Sequence, residues 1–280
     1  MKFVDAHIHL ADKAYFENVK EIVYEAKALG VVALVANSTD LETSKRSIKL
    51  AVEYPDHVYA TAGIQPWNTK QLKPNEVKQT VNLIVENKQK LLAVGEIGLD
   101  ATYSGTGEPT EIQMQVFQEM LSVAEKTSLP VIIHSRGTTS QIVNMLPSYK
   151  VDKVILHWFS QPHSLISTIM DRGYYITEGP AALFSGAIKK VIQEIALTNL
   201  ITETDGPVRF RAKPFNGKLT TPSCIPTIVE GIAKLKELNQ TEVANQIYEN
   251  FVTFFGVKGV RDKRHDAGTI YNTEESNGNK

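Results

Sequence analysis

Six side chains able to hold a metal ion stand just behind short aliphatic runs. His7 and His9 flank Ile8 after Phe3-Val4, and Glu96 follows Leu91-Leu92-Ala93-Val94 by one glycine. His134 follows Val131-Ile132-Ile133, His157 follows Val154-Ile155-Leu156, and Asp205 comes three positions after Leu200-Ile201-Thr202. Residues two apart on an extended segment point the same way, so one cation can take both imidazoles of His7 and His9. Four imidazoles and two carboxylates exceed the three protein ligands and open position of a catalytic zinc. Two divalent ions sharing a carboxylate use the set more fully, and Glu96, midway in strand order between His7/His9 and His134/His157, is the expected bridge. Paired ions acidify a bound water and clamp the attacking and leaving oxygens, which is the chemistry of hydrolysis. Asp205 can ligate one ion and take the proton of that water, so Glu96 and Asp205 are the expected catalytic carboxylates. Imidazoles suit zinc, manganese or iron(II), and the carboxylates also admit magnesium.

A single polar residue at a strand end is ordinarily structural; six of them acquire meaning only if one fold gathers the strand ends. The aliphatic runs above continue with Val31 to Val35, Val58 to Ala62 and Tyr174 to Thr177, which makes eight candidate strands. Most are near-continuous apolar runs, as strands buried on both faces of a parallel sheet must be. Helical stripes lie between them: Val19, Ile22, Val23 and Ala26 in one, Val116, Met120, Val123 and Ala124 in another. Gly30 is placed to close the first, and Thr110-Glu111-Ile112-Gln113 has capping-box form before the second. Further helices are expected over 225–238 and 241–255. The spacing predicts an α/β protein, a single-domain (β/α)8 TIM barrel over residues 1–258, with a polar, disordered tail over 259–280. In such a barrel all six side chains meet at the C-terminal rim, where this fold keeps its chemistry. An open doubly wound sheet is the other arrangement, but no Gly-x-Gly-x-x-Gly or P-loop follows any strand, which disfavours both it and a nucleotide cofactor.

Composition narrows the partners. Thirty basic and 31 acidic residues among 280 leave a formal charge of -1, so no global field draws a polyanion and any such partner must be attracted locally. Arg209, Arg211, Lys213 and Lys218, in the Pro- and Gly-rich stretch 206–222, can track a nucleic-acid backbone or simply be solvated. The lone Cys224 forms no intramolecular disulfide and no cysteine-rich metal site, which fits a reducing, cytoplasmic compartment. The amino terminus carries no apolar signal region, and the longest aliphatic run, Val31 to Ala36, is too short to span a bilayer. The expectation is an uncleaved, membrane-free monomer. His57 and His265 are expected at the surface, and His163 at the start of a helix.

Five segments together resemble the TatD family of metal-dependent deoxyribonucleases: Asp5-Ala6-His7-Ile8-His9-Leu10, Gly95-Glu96-Ile97-Gly98-Leu99-Asp100, Pro130-Val131-Ile132-Ile133-His134-Ser135-Arg136, His157-Trp158-Phe159-Ser160 and Glu203-Thr204-Asp205-Gly206-Pro207. They occur in the family's order, and the likeness runs from Met1 to about Val257. It implies an amidohydrolase-type barrel, a two-metal site and hydrolysis of phosphodiester bonds in DNA. It also implies that His7, His9, Glu96 and Asp205 hold one ion (zinc, manganese or magnesium), and Glu96, His134 and His157 the other. Where the family carries Gly-Ile-His-Pro-His, this chain has Gly63-Ile64-Gln65-Pro66-Trp67. Gln65 can donate to a phosphate oxygen but cannot carry protons. Trp67 can stack on a base or anchor its loop. Arg136, two residues after His134, can aim its fork at a phosphate. Thr220-Thr221-Pro222 replaces the family's Asn-Glu-Pro, and Glu178 adds an acid near the rim that calls for Arg136, Arg209 or Arg211 as a partner, or for a substrate other than plain DNA. The other reading of the same ligands is hydrolysis of an amide or ester in a small molecule or an aminoacylated RNA.

Overall fold

The computed structural model describes residues 1–103 and 105–257. Eight parallel strands run in chain order around a nearly closed barrel: β1 Phe3–Ile8, β2 Val31–Ala36, β3 Val58–Ala62, β4 Leu91–Asp100, β5 Val131–Arg136, β6 Val154–Leu156, β7 Tyr175–Glu178 and β8 Leu200–Thr202. Each pairs with the next, from β1 with β2 through β7 with β8. The seam between β8 and β1 is closed largely by side chains. Thr202 Oγ1 donates to Val4 O at 2.6 Å, and Thr204 donates to the Asp5 carboxyl from both its amide (3.0 Å) and its hydroxyl (2.6 Å). Asp205 N donates to His7 O at 2.9 Å, and His9 N to Gly206 O at 2.8 Å. Burial pushes the Asp5 carboxyl up to about 8, against the hydrogen bonds from Thr204.

The helices α1 Val19–Ala28, α2 Leu41–Glu53, α3 Glu76–Asn87, α4 Glu111–Thr127, α5 Thr139–Met145, α6 Ile166–Asp171, α7 Gly186–Glu194, α8 Ile225–Lys236 and α9 Gln240–Phe255 alternate with the strands and follow the last one. The stripe expected on α1 is the face it buries, and Gly30, at φ +81°, ends that helix as expected. At α4 only half of the expected capping box forms. Thr110 accepts from Gln113 N, but Gln113 turns its side-chain oxygen to Asp100 N, 3.2 Å away, and so ties the helix to the end of β4. Among the described residues no helix is long and apolar enough to cross a membrane.

Three departures from expectation concern position. His7 lies inside β1 rather than behind it, and β4 runs well past Val94 to Asp100. That extension depends on Gly98, whose φ of +146° and contact with β5 leave no space for a side chain: a Cβ would collide with the His134 carbonyl. His57, expected at the surface, is buried, because it enters β3 beneath β2 with Nδ1 3.1 Å from Val32 O. His163 does begin a short 3-10 turn leading into α6. The tail over 259–280 and His265 lie outside the described residues.

Replacing Gly98 by alanine forces β4 and β5 apart at His134. We expect Gly98→Ala to lower the unfolding free energy by more than about 2 kcal/mol in urea titration.

Candidate active site

The ends of neighbouring parallel strands bring the six residues together. His7 and His9 stand at the end of β1, Glu96 in β4, His134 in β5, His157 directly behind β6, and Asp205 three residues behind β8. Glu96 is wholly buried, and its two oxygens face different neighbours. Oε2 lies 3.5 Å from His7 Nε2 and 3.3 Å from His9 Nε2, and Asp205 Oδ1 lies 3.6 and 3.4 Å from the same two nitrogens. The nitrogens are 3.4 Å apart. Five of the six distances among these four atoms lie between 3.3 and 3.6 Å, the spacing of donors that share an ion at bonds of about 2.1 Å, as zinc makes to nitrogen or carboxylate oxygen. Oε1 of Glu96 faces His134 Nδ1 and His157 Nε2, each at 3.0 Å, and those nitrogens are 3.4 Å apart. The donor set therefore fits a divalent cation at either oxygen of Glu96.

Electrostatics favours the same conclusion. Burial alone would raise the Glu96 carboxyl, but the imidazoles of His157, His134 and His7 outweigh it and hold the group well below the usual carboxylate range. Asp205 is likewise held low against burial, chiefly by the hydrogen bond from His9. His157 is driven well above the ordinary imidazole value, its burial overcome by Glu96 and Glu203. Buried anions ringed by imidazoles need a positive charge at their centre, supplied here by protons or by a metal.

Surrounding contacts orient the ligands. His9 Nδ1 lies 3.2 Å from Asn37 O, which directs Nε2 inward. His134 turns Nε2 to Asp100 Oδ2 at 2.9 Å, leaving Nδ1 for Glu96. Asp100 also accepts from Trp67 Nε1 (2.7 Å), Thr102 N and Oγ1 (2.8 and 2.7 Å) and Tyr103 N (3.0 Å). Despite its burial, the hydrogen bonds from His134, Thr102 and Trp67 hold its carboxyl far below the ordinary range. Glu203 Oε2 lies 3.5 Å from His157 Nδ1, without hydrogen-bond geometry, and accepts from Thr177 Oγ1. His7 and His157 stack with centroids 4.0 Å apart. Asp100 and Glu203 went unrecognised as site residues from the sequence. For Asp100 the available signal was its spacing from Glu96, four apart on one strand; Glu203, beyond the end of β8, offered no such signal.

The expected substrate residues border this cluster. Gln65 is buried and donates from Nε2 to Glu96 Oε2 at 3.0 Å, so the amide that replaces an imidazole here orients a carboxylate. Trp67 is anchored through its indole N–H yet remains exposed, and Arg136 extends from β5 into solvent with no side-chain partner among the described residues. Arg209, Arg211, Lys213 and Lys218 are all exposed, on a loop whose Phe210 and Phe215 are buried against Phe184. Glu178 corrects an expectation. It is fully buried at the end of β7, neither of its oxygens has a partner, and no arginine approaches it. Burial, reinforced by Glu203, pushes it well above the carboxylate range, so it brings no negative charge to the rim.

A parallel barrel with these donors at its C-terminal rim is the arrangement of a metal-dependent hydrolase. The family model described as TatD related DNase matches residues 4–256, and the chain belongs to that family. It is 32% identical over 255 residues to the uncharacterized metal-dependent hydrolase MJ1582 of Methanocaldococcus jannaschii, covering 91% of this chain and 97% of that protein. It is 31% identical over 268 residues to deoxyribonuclease TATDN3 of Homo sapiens, covering 90% and 94%. The crystal structure of YjjV, a TatD homologue from Escherichia coli, superposes with a TM-score of 0.84 at 25% identity over 91% of this chain and 98% of that one.

Asp100→Asn keeps the shape of the side chain but removes the charge that His134 leans on. Its affinity for zinc or manganese, measured by competition with a chelator, should fall about 10- to 100-fold.

Proposed function

We propose that this chain is a deoxyribonuclease that hydrolyses phosphodiester bonds in DNA with two divalent ions, and that it acts as a cytoplasmic monomer. The observation that carries the reading is the division of Glu96, one oxygen toward His7 and His9, which Asp205 also faces, and the other toward His134 and His157. On this reading His7, His9, Glu96 and Asp205 hold one ion, and Glu96, His134 and His157 the other. Family membership and relatives named as deoxyribonucleases support DNA as the substrate. A single cysteine, which needs no oxidising compartment, supports the location.

When bound, the ions supply Lewis acidity and an acidified water. Asp205 directs Oδ1 at the two imidazoles, which leaves Oδ2 to accept the proton of the attacking water. Held low by the hydrogen bond from His9 against its burial, its carboxyl stays ionised. Gln65 spends one N–H on Glu96 and retains a second for a phosphate oxygen. Arg136 has its whole fork available for the phosphate. Zinc, manganese and magnesium are all compatible with this mixed nitrogen and oxygen set.

End-labelled single-stranded DNA incubated with the protein under each of these metals should be shortened, and Glu96→Gln should slow that by more than about 1,000-fold while leaving the melting temperature close to that of the parent. Absence of cleavage under every metal would overturn DNA as the substrate. Arg136→Ala should raise KM about tenfold with a smaller change in kcat, read from initial rates over a range of oligonucleotide concentrations.

A further inference from the structure

The mouth of the site carries an aromatic wall that the hydrolytic step does not use. Trp67, in the 3-10 turn after β3, is 38% exposed, and Tyr103, just past β4, is 37% exposed. Their ring centroids are 6.1 Å apart with planes inclined by 31°. Both residues are fixed from behind by the same group: Asp100 accepts from the Trp67 indole N–H at 2.7 Å and from the Tyr103 amide at 3.0 Å. Trp67 also meets His134 edge to face, with centroids 5.4 Å apart. Held by its edges, the indole is rigid before any ligand arrives, so stacking on it costs little conformational entropy.

Beyond the Asp100 carboxylate behind the rings, two cations stand beside them. Lys70 Nζ sits 4.6 Å from the Tyr103 ring centroid and donates to Tyr103 O at 3.2 Å, with further N–H groups to spare. Arg136 is the register partner of Asp100 across β4 and β5, and its guanidinium is unpaired among the described residues. A rigid aromatic face flanked by cations, one ring away from a ligand of the hydrolytic centre, suits a nucleobase whose own phosphate reaches that centre.

We propose that Trp67 and Tyr103 form a stacking subsite for an unpaired nucleobase, with Lys70 and Arg136 holding the backbone phosphates beside it. The proposal rests on the deoxyribonuclease reading and deepens it. A base in a duplex has both faces covered by its neighbours, so the subsite selects single-stranded or frayed ends. Stacking is tolerant of base identity, and the selection is therefore for an exposed π-face rather than for a sequence.

The test compares two ligands that differ only in the base, thymidine 5′-monophosphate and 2-deoxyribose 5-phosphate, titrated calorimetrically into the full-length protein with zinc or magnesium. The nucleotide should bind at least about tenfold more tightly than the sugar phosphate. In Trp158→Phe, where Trp67 is the remaining tryptophan, it should quench the emission and the sugar phosphate should not. Trp67→Leu should erase the preference. Trp67→Phe, which keeps a ring but loses the indole donor, should retain most of it, and exposed Tyr103→Leu should weaken it without altering metal content. Equal affinity for the two ligands, binding of neither, or an equal loss in Trp67→Phe and Trp67→Leu would overturn the subsite. Cleavage of oligo(dT), assayed in parallel, separates the two proposals: cleavage with no base preference removes the subsite alone, whereas a base preference without cleavage removes the deoxyribonuclease reading alone.

Discussion

A single carboxylate taken entirely out of water organises this molecule. Glu96 sits at the centre of the rim with no exposed surface, and leaving it ionised there is affordable only because imidazoles from three other strands or strand ends converge on its two oxygens. Removing any of them would leave a buried charge short of partners. The barrel geometry supplies the convergence, since parallel strands packed side by side bring residues far apart in the chain to one face.

The scaffold then has to hold that face to fractions of an ångström. Two devices do so at opposite sides of the barrel. Between β4 and β5 the close approach at Gly98 and His134 fixes the separation of Glu96 from His134. Between β8 and β1 the Asp5 and Thr204 side chains stand in for a regular ladder and fix Asp205 against His7. Burial raises Asp5, although the hydrogen bonds from Thr204 and the His7 amide pull the other way. Glu178 belongs to the same buried layer and shows the converse: a carboxyl with no partner, favoured in its neutral form.

Asp100 links this inner layer to the exposed aromatic pair. Its carboxylate orients His134 from one direction and the Trp67 and Tyr103 segments from another. The exposed aromatic pair and the central imidazoles thus share one support.

The amino-acid sequence by itself determined the eight strands, their parallel arrangement and the six residues of the centre, because near-continuous aliphatic runs ending in His, Glu or Asp leave few other readings. Residues such as His134 and His157 announce themselves by standing directly behind such runs. Only the tertiary structure decided which polar residues support that centre and which lie idle. Asp100 and Glu203 look like ordinary loop-side acids in the chain, Glu178 like an acid at the rim and His57 like a surface histidine. Their roles are set by burial and by partners 26 to 34 residues away, such as Thr177 for Glu203 and His134 for Asp100. Local patterning reports the preference of a segment for strand or helix, whereas the ionisation and orientation of a buried polar group depend on which distant atoms surround it, and those are known only once the barrel has closed.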